Sequence, residues 1–447
     1  MNIKELYQLY RQHPVITTDS RDCPKDSIFV ALKGASFNGN DYAAKALDQG
    51  CAYAVVDEER AIDAARKEQF VLVDDCLQTF KDLAREHRRQ FDIPVVGITG
   101  TNGKTTTKEL VAAVLAEKYN VLATQGNFNN DVGVPKTLFR LNREHEIAVV
   151  EMGASHPGDI KTLVETAEPT CGLITNVGRA HLQGFGSFEG VMNTKGELYD
   201  YLRKRAEEGD PDHGFVFINT DDEHLMQMAN ERGLILLAGY GTGDSDDIVV
   251  RGEVVECAPF LTFRWWIVDE EGDTEKELVH THLIGAYNLY NMLAAISVGL
   301  FFDVDVAQVN HALANYVPSN NRSQLTRTEH NTLIVDAYNA NPTSMAAALQ
   351  NFRDMRVENK MAILGDMREL GDASAEEHQH IADMLAEYGL TNTWLVGEEF
   401  GKTRCQFRKF ADVEQVKAAL AEQPPRGCCI LIKGSNGTHL YQLPEVL

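Results

Sequence analysis

The chain has 447 residues, with 42 Lys and Arg against 66 Asp and Glu, giving a formal net charge of −24. That acidic field repels nucleic-acid backbones and anionic membrane surfaces, so neither is expected as a partner, while a small anionic substrate needs only a local pocket. The length accommodates about two to four domains, and a hydrophobic content of 44% excludes disordered and fibrous classes.

The opening MNIKELYQLYRQHP is polar and lacks an apolar run of signal-peptide length. No later stretch supplies the roughly 18 uncharged apolar residues of a membrane span, so a cytoplasmic protein is expected. Eight cysteines are scattered without a C-x-x-C pair, which supports neither a disulfide framework nor a thiolate metal site. Cys428 and Cys429, in the run CCILI, read as buried strand residues.

Short apolar runs alternate with helical periodicity along most of the chain, the pattern of repeated βα units, so the fold class is α/β with largely parallel sheets. DSIFVAL (26–32), CAYAVVD (51–57) and FVLVDD (70–75) predict strands, and a helix runs from Leu77 to about Phe91. Asp92-Ile93-Pro94 then opens a new unit, which sets a first domain at 1–92. VVGIT from Val95 leads through a Gly-rich turn into the helix KTTTKELVAAVLAEK, whose Leu110, Val111, Val114 and Leu115 share one face. Further strands are expected at EIAVVEM (146–152), GLITN (172–176), GFVFINTD (214–221) and LILLAG (234–239). From Asp247 to Leu283 the pattern becomes alternating, with a hairpin-like EEGD (270–273), and predicts an antiparallel flap on the parallel sheet. The helix around NLYNMLAAISVGLFF completes a central domain at 93–316. After Pro318 and SNNRS (319–323), the strands TLIVDAY (332–338), KMAILGDM (360–367), NTWLVG (392–397) and CCILIKGS (428–435) fit a small doubly wound domain at 317–447.

The strongest chemical signal is GTNGKTTTKEL (100–110), between a predicted strand and a predicted helix. Backbone N–H groups of such a turn and the helix N-terminus cradle an anion, Lys104 reaches terminal phosphates, and Thr105 offers its hydroxyl to Mg²⁺. The expected nucleotide set is Gly100, Thr101, Asn102, Gly103, Lys104, Thr105 and Thr106. The usual G-x-x-x-x-G-K-[ST] count back from Gly103 lands on Ile98, with glycines at Gly97 and Gly100 instead. Glu151, closing EIAVVEM, stands where an acidic metal ligand is needed at a neighbouring strand end. By residue type alone His181 reads more readily as a hydrogen-bonded structural histidine and Lys195 as a solvated surface lysine.

GTNGKTTT, TQGNFNNDVGVP (124–135), EMGASHPGDI (151–160), TNVGRAHLQGFGS (175–187), GAYNLYNMLAA (285–295), DAYNANPTSM (336–345) and LGDMRELG (364–371) together resemble the Mur ligase family in collinear order. The resemblance implies three domains: one for a UDP-sugar, a central P-loop ATPase, and a Rossmann-like domain that closes over ATP and the incoming amine. It implies Thr105, Glu151, His181 and Lys195 as ligands of two Mg²⁺ ions, with Lys195 as an N-carbamate. Lys104, Lys195, His181 and Glu151 are then the catalytic set. Asn127, Asn129 and Asn130 fall near the acceptor carboxylate, Asn288 and Asn291 near adenine, and Arg322, Asp336, Tyr338 and Asn341 bring the third domain onto the nucleotide. Ser20, Arg21, Asn38 and Gly39 match the uridine region, where a histidine common after the glycine is Asn40 here. Asn321 and Asn436 stand where relatives carry glycine and arginine.

DAYNANPTSM, LGDMRELG and KGSNG (433–437), with no D-N-P-R motif, resemble the member that adds D-alanyl-D-alanine to a UDP-N-acetylmuramoyl tripeptide. The implied chemistry is transfer of the γ-phosphoryl group of ATP to a carboxylate, then displacement of phosphate by an amine, in a monomer with no nucleic-acid or membrane partner. The alternatives are a diamino-acid-adding ligase or a folylpolyglutamate synthase of the same superfamily, and a P-loop nucleotide switch that forms no amide.

Overall fold

The computed structural model describes residues 1–209, 213–269, 272–318 and 324–447. Three sheets divide them. The first has four parallel strands in chain order, Ile16–Thr17, Ile28–Val30, Tyr53–Val56 and Phe70–Leu72. Three helices pack with it, the short Ala43–Asp48 burying Ala43, Ala46 and Leu47. Ile3–Gln12 begins with a reciprocal cap between Asn2 and Glu5 and buries Leu6, Tyr7 and Tyr10. Cys76–Arg88 is capped by Asp75 and buries Phe80, Leu83 and His87.

The second sheet has ten strands. Val121–Ala123, Ile147–Glu151, Val95–Thr99, Cys171–Ile174, Phe215–Asn219, Leu237–Gly241 and Ile248–Cys257 neighbour one another in that order, all parallel. Phe260–Asp269 continues the sheet antiparallel and carries Glu277–Ile284 and Gly272–Asp273 against it, which is the expected flap. The chain leaves Val95–Thr99 to one side and later returns on the other, so a crevice opens at its carboxyl end, where open α/β sheets bind ligands. Every residue of this strand is buried, and Leu110, Val111, Val114 and Leu115 of the following helix pack into the same core as Met292, Leu293 and Ile296.

The third sheet runs Gln324–Arg327, Thr332–Asp336, Cys429–Lys433, Lys360–Gly365, Thr393–Val396, Arg408–Phe410, with only the first strand antiparallel. It holds the four expected strands and two edges the periodicity does not reveal. QLTR and RKF are short and polar, as edge strands often are.

Two local readings need correction. The strand expected at 234–239 lies at Leu237–Gly241, because Gly233 caps the preceding helix in left-handed geometry and Leu234 bonds back to Ala229, leaving Ile235 75% exposed. Cys429 is a buried strand residue, but Cys428 is half-buried and precedes the strand. Of the EEGD hairpin, Gly272–Asp273 pairs with Val268 and Asp269, while 270–271 lie outside the described residues.

Candidate active site

The crevice is a cavity of about 1160 Å³ walled by the central and third units. The phosphate loop forms its floor. Gly100 has φ +141° and Gly103 φ +80°; a side chain would strike the Thr175 hydroxyl at the first and the Asn291 amide at the second, so only glycine keeps the loop closed. The strand-end segment Thr175–Gly178 bolts it down. Thr101 N–H donates to the Asn176 carbonyl at 2.9 Å, Asn102 N–H to Asn176 Oδ1 at 3.0 Å, and the Thr175 hydroxyl to the Asn102 carbonyl at 2.6 Å. Gly103 caps the helix Lys104–Ala116, and Lys104 Nζ bonds to the carbonyls of Gly100 and Thr101 at 2.8 and 3.0 Å. Gly100 thus takes the turning role, and Ile98 stays inside its strand.

Glu151 ends the adjacent strand and is 1% exposed. Its Oε1 accepts from the Thr105 hydroxyl at 3.2 Å and from Asn129 Nδ2 at 2.8 Å, whereas the buried Oε2 has no partner. An orphaned carboxylate oxygen beside a threonine hydroxyl fits a hard cation. No group of three or more His, Cys, Asp or Glu that could hold a metal occurs among the described residues. Asn127, Asn129 and Asn130 line the same wall, with Asn130 Oδ1 accepting from Gly133 N–H at 2.8 Å.

His181 adopts φ +50° and pairs through Nδ1 with Glu369 of the third unit. Burial pushes its pKa below the ordinary 6.5, Glu369 works against that shift, and the charges of Lys104 and Lys195 reinforce it. Lys195, on the helix Phe188–Glu207, is 2% exposed and points over the Phe185 ring, 5.4 Å from its centroid. Burial, with Lys104 nearby, holds its pKa well below the usual lysine value. A solvated surface lysine is therefore the wrong description.

Asn288 and Asn291 line the cavity from the helix Asn288–Phe301. Asn291 Nδ2 donates to Asn288 Oδ1 at 2.8 Å, and Asn291 Oδ1 accepts from the Thr107 hydroxyl at 3.0 Å. From the third unit come Asp336, Tyr338 and Asn341. Asn341 caps the helix Pro342–Asp354 and donates through Nδ2 to Asn102 Oδ1 at 2.7 Å, so the third unit touches the phosphate loop directly. Arg322 lies outside the described residues.

Ser20, Arg21, Asn38 and Gly39 do not line this cavity. Arg21 is exposed and paired with Asp19, and Asn38 donates to Glu58 at 3.0 Å. Asn40 is buried, bonded through Nδ2 to Asp57 Oδ1 at 2.7 Å and through Oδ1 to Asp57 N–H at 3.1 Å, which makes it a brace inside the first unit. Of the first 92 residues only Lys81 reaches the described cavity wall.

Several wall residues have no role in the sequence reading. Lys433 is 1% exposed and binds Asp336 at 2.6 Å; Asn176 and Thr175 hold the loop. All three lie inside recognised motifs, where strand-end position is the available signal. Asp221 accepts from Thr242 and from the Tyr290 hydroxyl at 3.1 Å, and no local pattern marks it.

Fold and cavity define a phosphate-loop nucleotide-binding protein whose third unit closes on the loop. Residues 98–299 match the Mur ligase middle domain, 321–436 the glutamate ligase domain, and 14–88 the Mur ligase family catalytic domain. The chain is 32% identical to the UDP-N-acetylmuramoyl-tripeptide--D-alanyl-D-alanine ligase of Bacillus subtilis (strain 168), over 97% of this chain and 92% of that protein. It is 31% identical to the Escherichia coli (strain K12) protein of that name, over 97% and 93%. A crystal structure of MurF from Acinetobacter baumannii superposes with TM-score 0.87 at 27% identity, covering 99% of this chain and 98% of that one. MurF ligase from Thermotoga maritima in complex with ADP gives 0.84 at 25% identity, covering 97% of each. The chain belongs to the Mur ligase family.

Proposed function

We propose that this protein is an ATP-dependent amide ligase that joins D-alanyl-D-alanine to UDP-N-acetylmuramoyl tripeptide in peptidoglycan precursor synthesis, in the cytoplasm. The observation that carries the reading is the near full-length likeness to ligases of that name, laid over a cavity where phosphate loop, buried carboxylate and third unit converge. No described helix is long and apolar enough to cross a membrane. The three units are read as domains at 1–92, 93–316 and 317–447.

Amide formation in water is uphill, so the substrate carboxylate oxygen attacks the γ-phosphorus of ATP, forming an acyl phosphate and ADP. The neutral amine of the acceptor then attacks the acyl carbon and expels phosphate, losing a proton. Phosphoryl transfer asks for positioning and charge neutralisation. Lys104 supplies a point charge to the phosphate oxygens, and the N–H groups opening the helix Lys104–Ala116 cradle them. Mg²⁺, when bound, would offset the repulsion between carboxylate and γ-phosphate. Thr105 and the unpaired Glu151 oxygen would hold one ion, His181 and Lys195 a second. Asn288, Asn291, Asp336, Tyr338 and Asn341 would surround the nucleoside, Arg322 would add a phosphate contact, and Asn127, Asn129 and Asn130 would face the reacting carboxylate. Ser20, Arg21, Asn38 and Gly39 would hold the uridine end. Closure of the third unit keeps water from the acyl phosphate.

Lys195 would act as an N-carbamate. A buried amine whose charge is disfavoured is a nucleophile for CO₂, and the product carries hard oxygen donors in place of an ammonium that would repel a cation. Lys195→Ala is expected to lose activity by about a hundredfold or more, with partial rescue by acetate. Protein equilibrated with ¹³C-bicarbonate should show a carbamate carbon resonance that the variant lacks; an active variant and no resonance overturn this role.

ADP release with UDP-N-acetylmuramoyl tripeptide and a panel of acceptors tests the whole reading. D-alanyl-D-alanine should support it and single diamino acids or glutamate should not. Turnover with lysine or diaminopimelate, and none with the dipeptide, assigns the protein to the neighbouring ligase class.

A further inference from the structure

We propose that Asp221 is a positioning residue for the nucleotide: it holds the Tyr290 hydroxyl and so fixes the first turn of the helix Asn288–Phe301, whose Asn288 and Asn291 then meet the base. The inference rests on the ATP-dependent reading above and deepens it at the nucleoside end of the cavity.

Asp221 follows the strand Phe215–Asn219 at the carboxyl edge of the central sheet, on the cavity wall. Its Oδ2 accepts from the Thr242 N–H at 2.7 Å, the Thr242 hydroxyl at 2.6 Å and the Tyr290 hydroxyl at 3.1 Å, and its Oδ1 accepts from the Gly243 N–H at 3.1 Å. Burial raises its pKa, but these hydrogen bonds outweigh burial and hold the group below the usual value, as a carboxylate. The turn after the strand Leu237–Gly241 is shaped around it, for a side chain at Gly241 or Gly243 would strike Asp221 Oδ1 at 2.8 or 2.9 Å. No lysine or arginine pairs with it among the described residues. Four donors on two oxygens make the group a brace and leave little of it for a cation.

What the brace holds is the start of a helix. Tyr287 at its N-cap makes no side-chain capping bond, so the first turn depends on ties to more distant parts of the chain. Asn291 supplies the tie to the phosphate loop: its Oδ1 accepts from the Thr107 hydroxyl at 3.0 Å and lies where a side chain on Gly103 would meet it at 2.7 Å. Asn288 donates to the Ile284 carbonyl and accepts from Asn291, both at 2.8 Å. Tyr290 supplies the tie to the sheet edge, reaching an aspartate 69 residues earlier. Phosphates held at Gly100–Thr106 send the nucleoside along the wall that leads from the loop past Asn291. There Leu283, Tyr287 and Tyr290 turn the wall apolar and aromatic, as a base requires. Hydrogen bonds to a base weaken steeply when their donors and acceptors shift or tilt, so a fixed helix start is worth affinity and selectivity. Tyr290 donates its only hydroxyl proton to Asp221, and it therefore acts on the base by position.

The test measures binding of ADP, GDP and inorganic pyrophosphate to the full-length protein with Mg²⁺ by calorimetry, with melting curves alongside. Tyr290→Phe keeps the ring and removes only the hydroxyl. It should weaken ADP about tenfold, the value of one hydrogen bond to a charged group, narrow the preference for ADP over GDP, and leave pyrophosphate unchanged. Asp221→Asn should act in the same direction, and the double variant should be no worse than the weaker-binding single one, because both changes cut one tie. In turnover, KM for ATP should rise and KM for the sugar nucleotide should not. Unchanged ADP binding in a folded Tyr290→Phe protein overturns the assignment. Equal weakening of ADP and pyrophosphate overturns it as well, since the tie would then serve the phosphate loop and not the base. Additive losses in the double variant mean two independent contacts and overturn it too. A wild-type protein that binds ADP but forms none from ATP with the sugar nucleotide and dipeptide overturns the ligase reading and leaves this assignment standing.

Discussion

Where the first unit meets the central one, aromatic rings close the seam. Phe139 of the central unit lies among Tyr10, Phe80 and His87, with ring centroids 5.2, 5.4 and 5.9 Å away, and it belongs to the packing of both units. Where the third unit meets the central one beside the phosphate loop, the contacts are polar, Asn102 with Asn341, Arg179 with Glu377 and His181 with Glu369, while farther off Ile284 and Phe260 of the flap pack into the third unit's core. Apolar burial is lost outright when such surfaces part, whereas amides and charges exchange each other for water at small net cost. The first seam is a weld, and the second carries a polar side that can part beside the phosphate loop. The phosphate loop lies on the second, as it must if ATP and acceptor enter from there.

The contrast predicts that side chains at the polar face can be removed with large effects on turnover and small ones on stability, and that the aromatic seam behaves in reverse. Lys104→Ala is the largest case. Turnover should fall on the order of a hundred- to a thousandfold, about 3–4 kcal/mol in the barrier, as when a preorganised electrostatic partner is removed, with the melting temperature unchanged. A folded variant with near wild-type activity would take the phosphate loop out of the mechanism. Phe139→Ala comes next. It should lose about 3 kcal/mol of stability, the lower range for a phenylalanine truncation because the ring is only partly buried, while specific activity of the folded fraction stays near wild type. Loss of activity without loss of stability would erase the distinction between the two seams.

Much of this was legible in the sequence where chemistry or packing is contiguous. GTNGKT carries its own turn, cation and helix start, so its place follows from local rules. The apolar face of Leu110, Val111, Val114 and Leu115 follows from helical period. What pairs across the chain was not legible. Asn102 and Asn341 are 239 residues apart and Asp336 and Lys433 are 97 apart, and no period links either pair. Glu369 reads as one acid in a motif until the fold brings His181 to it. The four first-unit residues assigned to uridine lie off the main cavity, since a short parallel sheet of its own carries them.

A pH titration sharpens the comparison further, with a smaller effect. His87 is 7% exposed; its Nδ1 meets the Tyr7 hydroxyl and its Nε2 the Leu141 carbonyl, both at 3.1 Å. Burial holds its pKa below the ordinary 6.5, with the Leu141 carbonyl opposing the shift in part. The unfolded chain takes up a proton at about 6.5 that the folded seam resists. Stability is therefore undiminished above that pH, declines as pH falls from 6.5 toward the lower folded value, and is flat beneath it. His181 shares the direction of shift, so the difference between wild type and His87→Gln isolates the seam. Denaturant unfolding above and below pH 6.5 should show a gap that widens on acidification in favour of the variant. A constant gap would mean that the His87 site is wet.

The smallest effect should come from the polar face itself. Arg179 and Glu377 meet at 3.1 Å with side chains 63% and 9% exposed, so the guanidinium remains largely hydrated and its attraction to the carboxylate is screened. Their coupling should be about 0.5 kcal/mol at low salt and should vanish as salt is raised. Single substitutions would mislead, because Glu377 lies in the first turn of the helix Ser374–Glu387, where an acid also favours the helix dipole. Arg179→Ala, Glu377→Gln and the double variant form a cycle that cancels this local contribution. The same cycle read in KM for ATP should show a comparably small term if this face opens in turnover, because easily broken contacts would then hold it. A coupling of about 2 kcal/mol or more, insensitive to salt, is the signature of a desolvated pair. That result would make the third unit's face a second weld and place the opening motion elsewhere in the molecule.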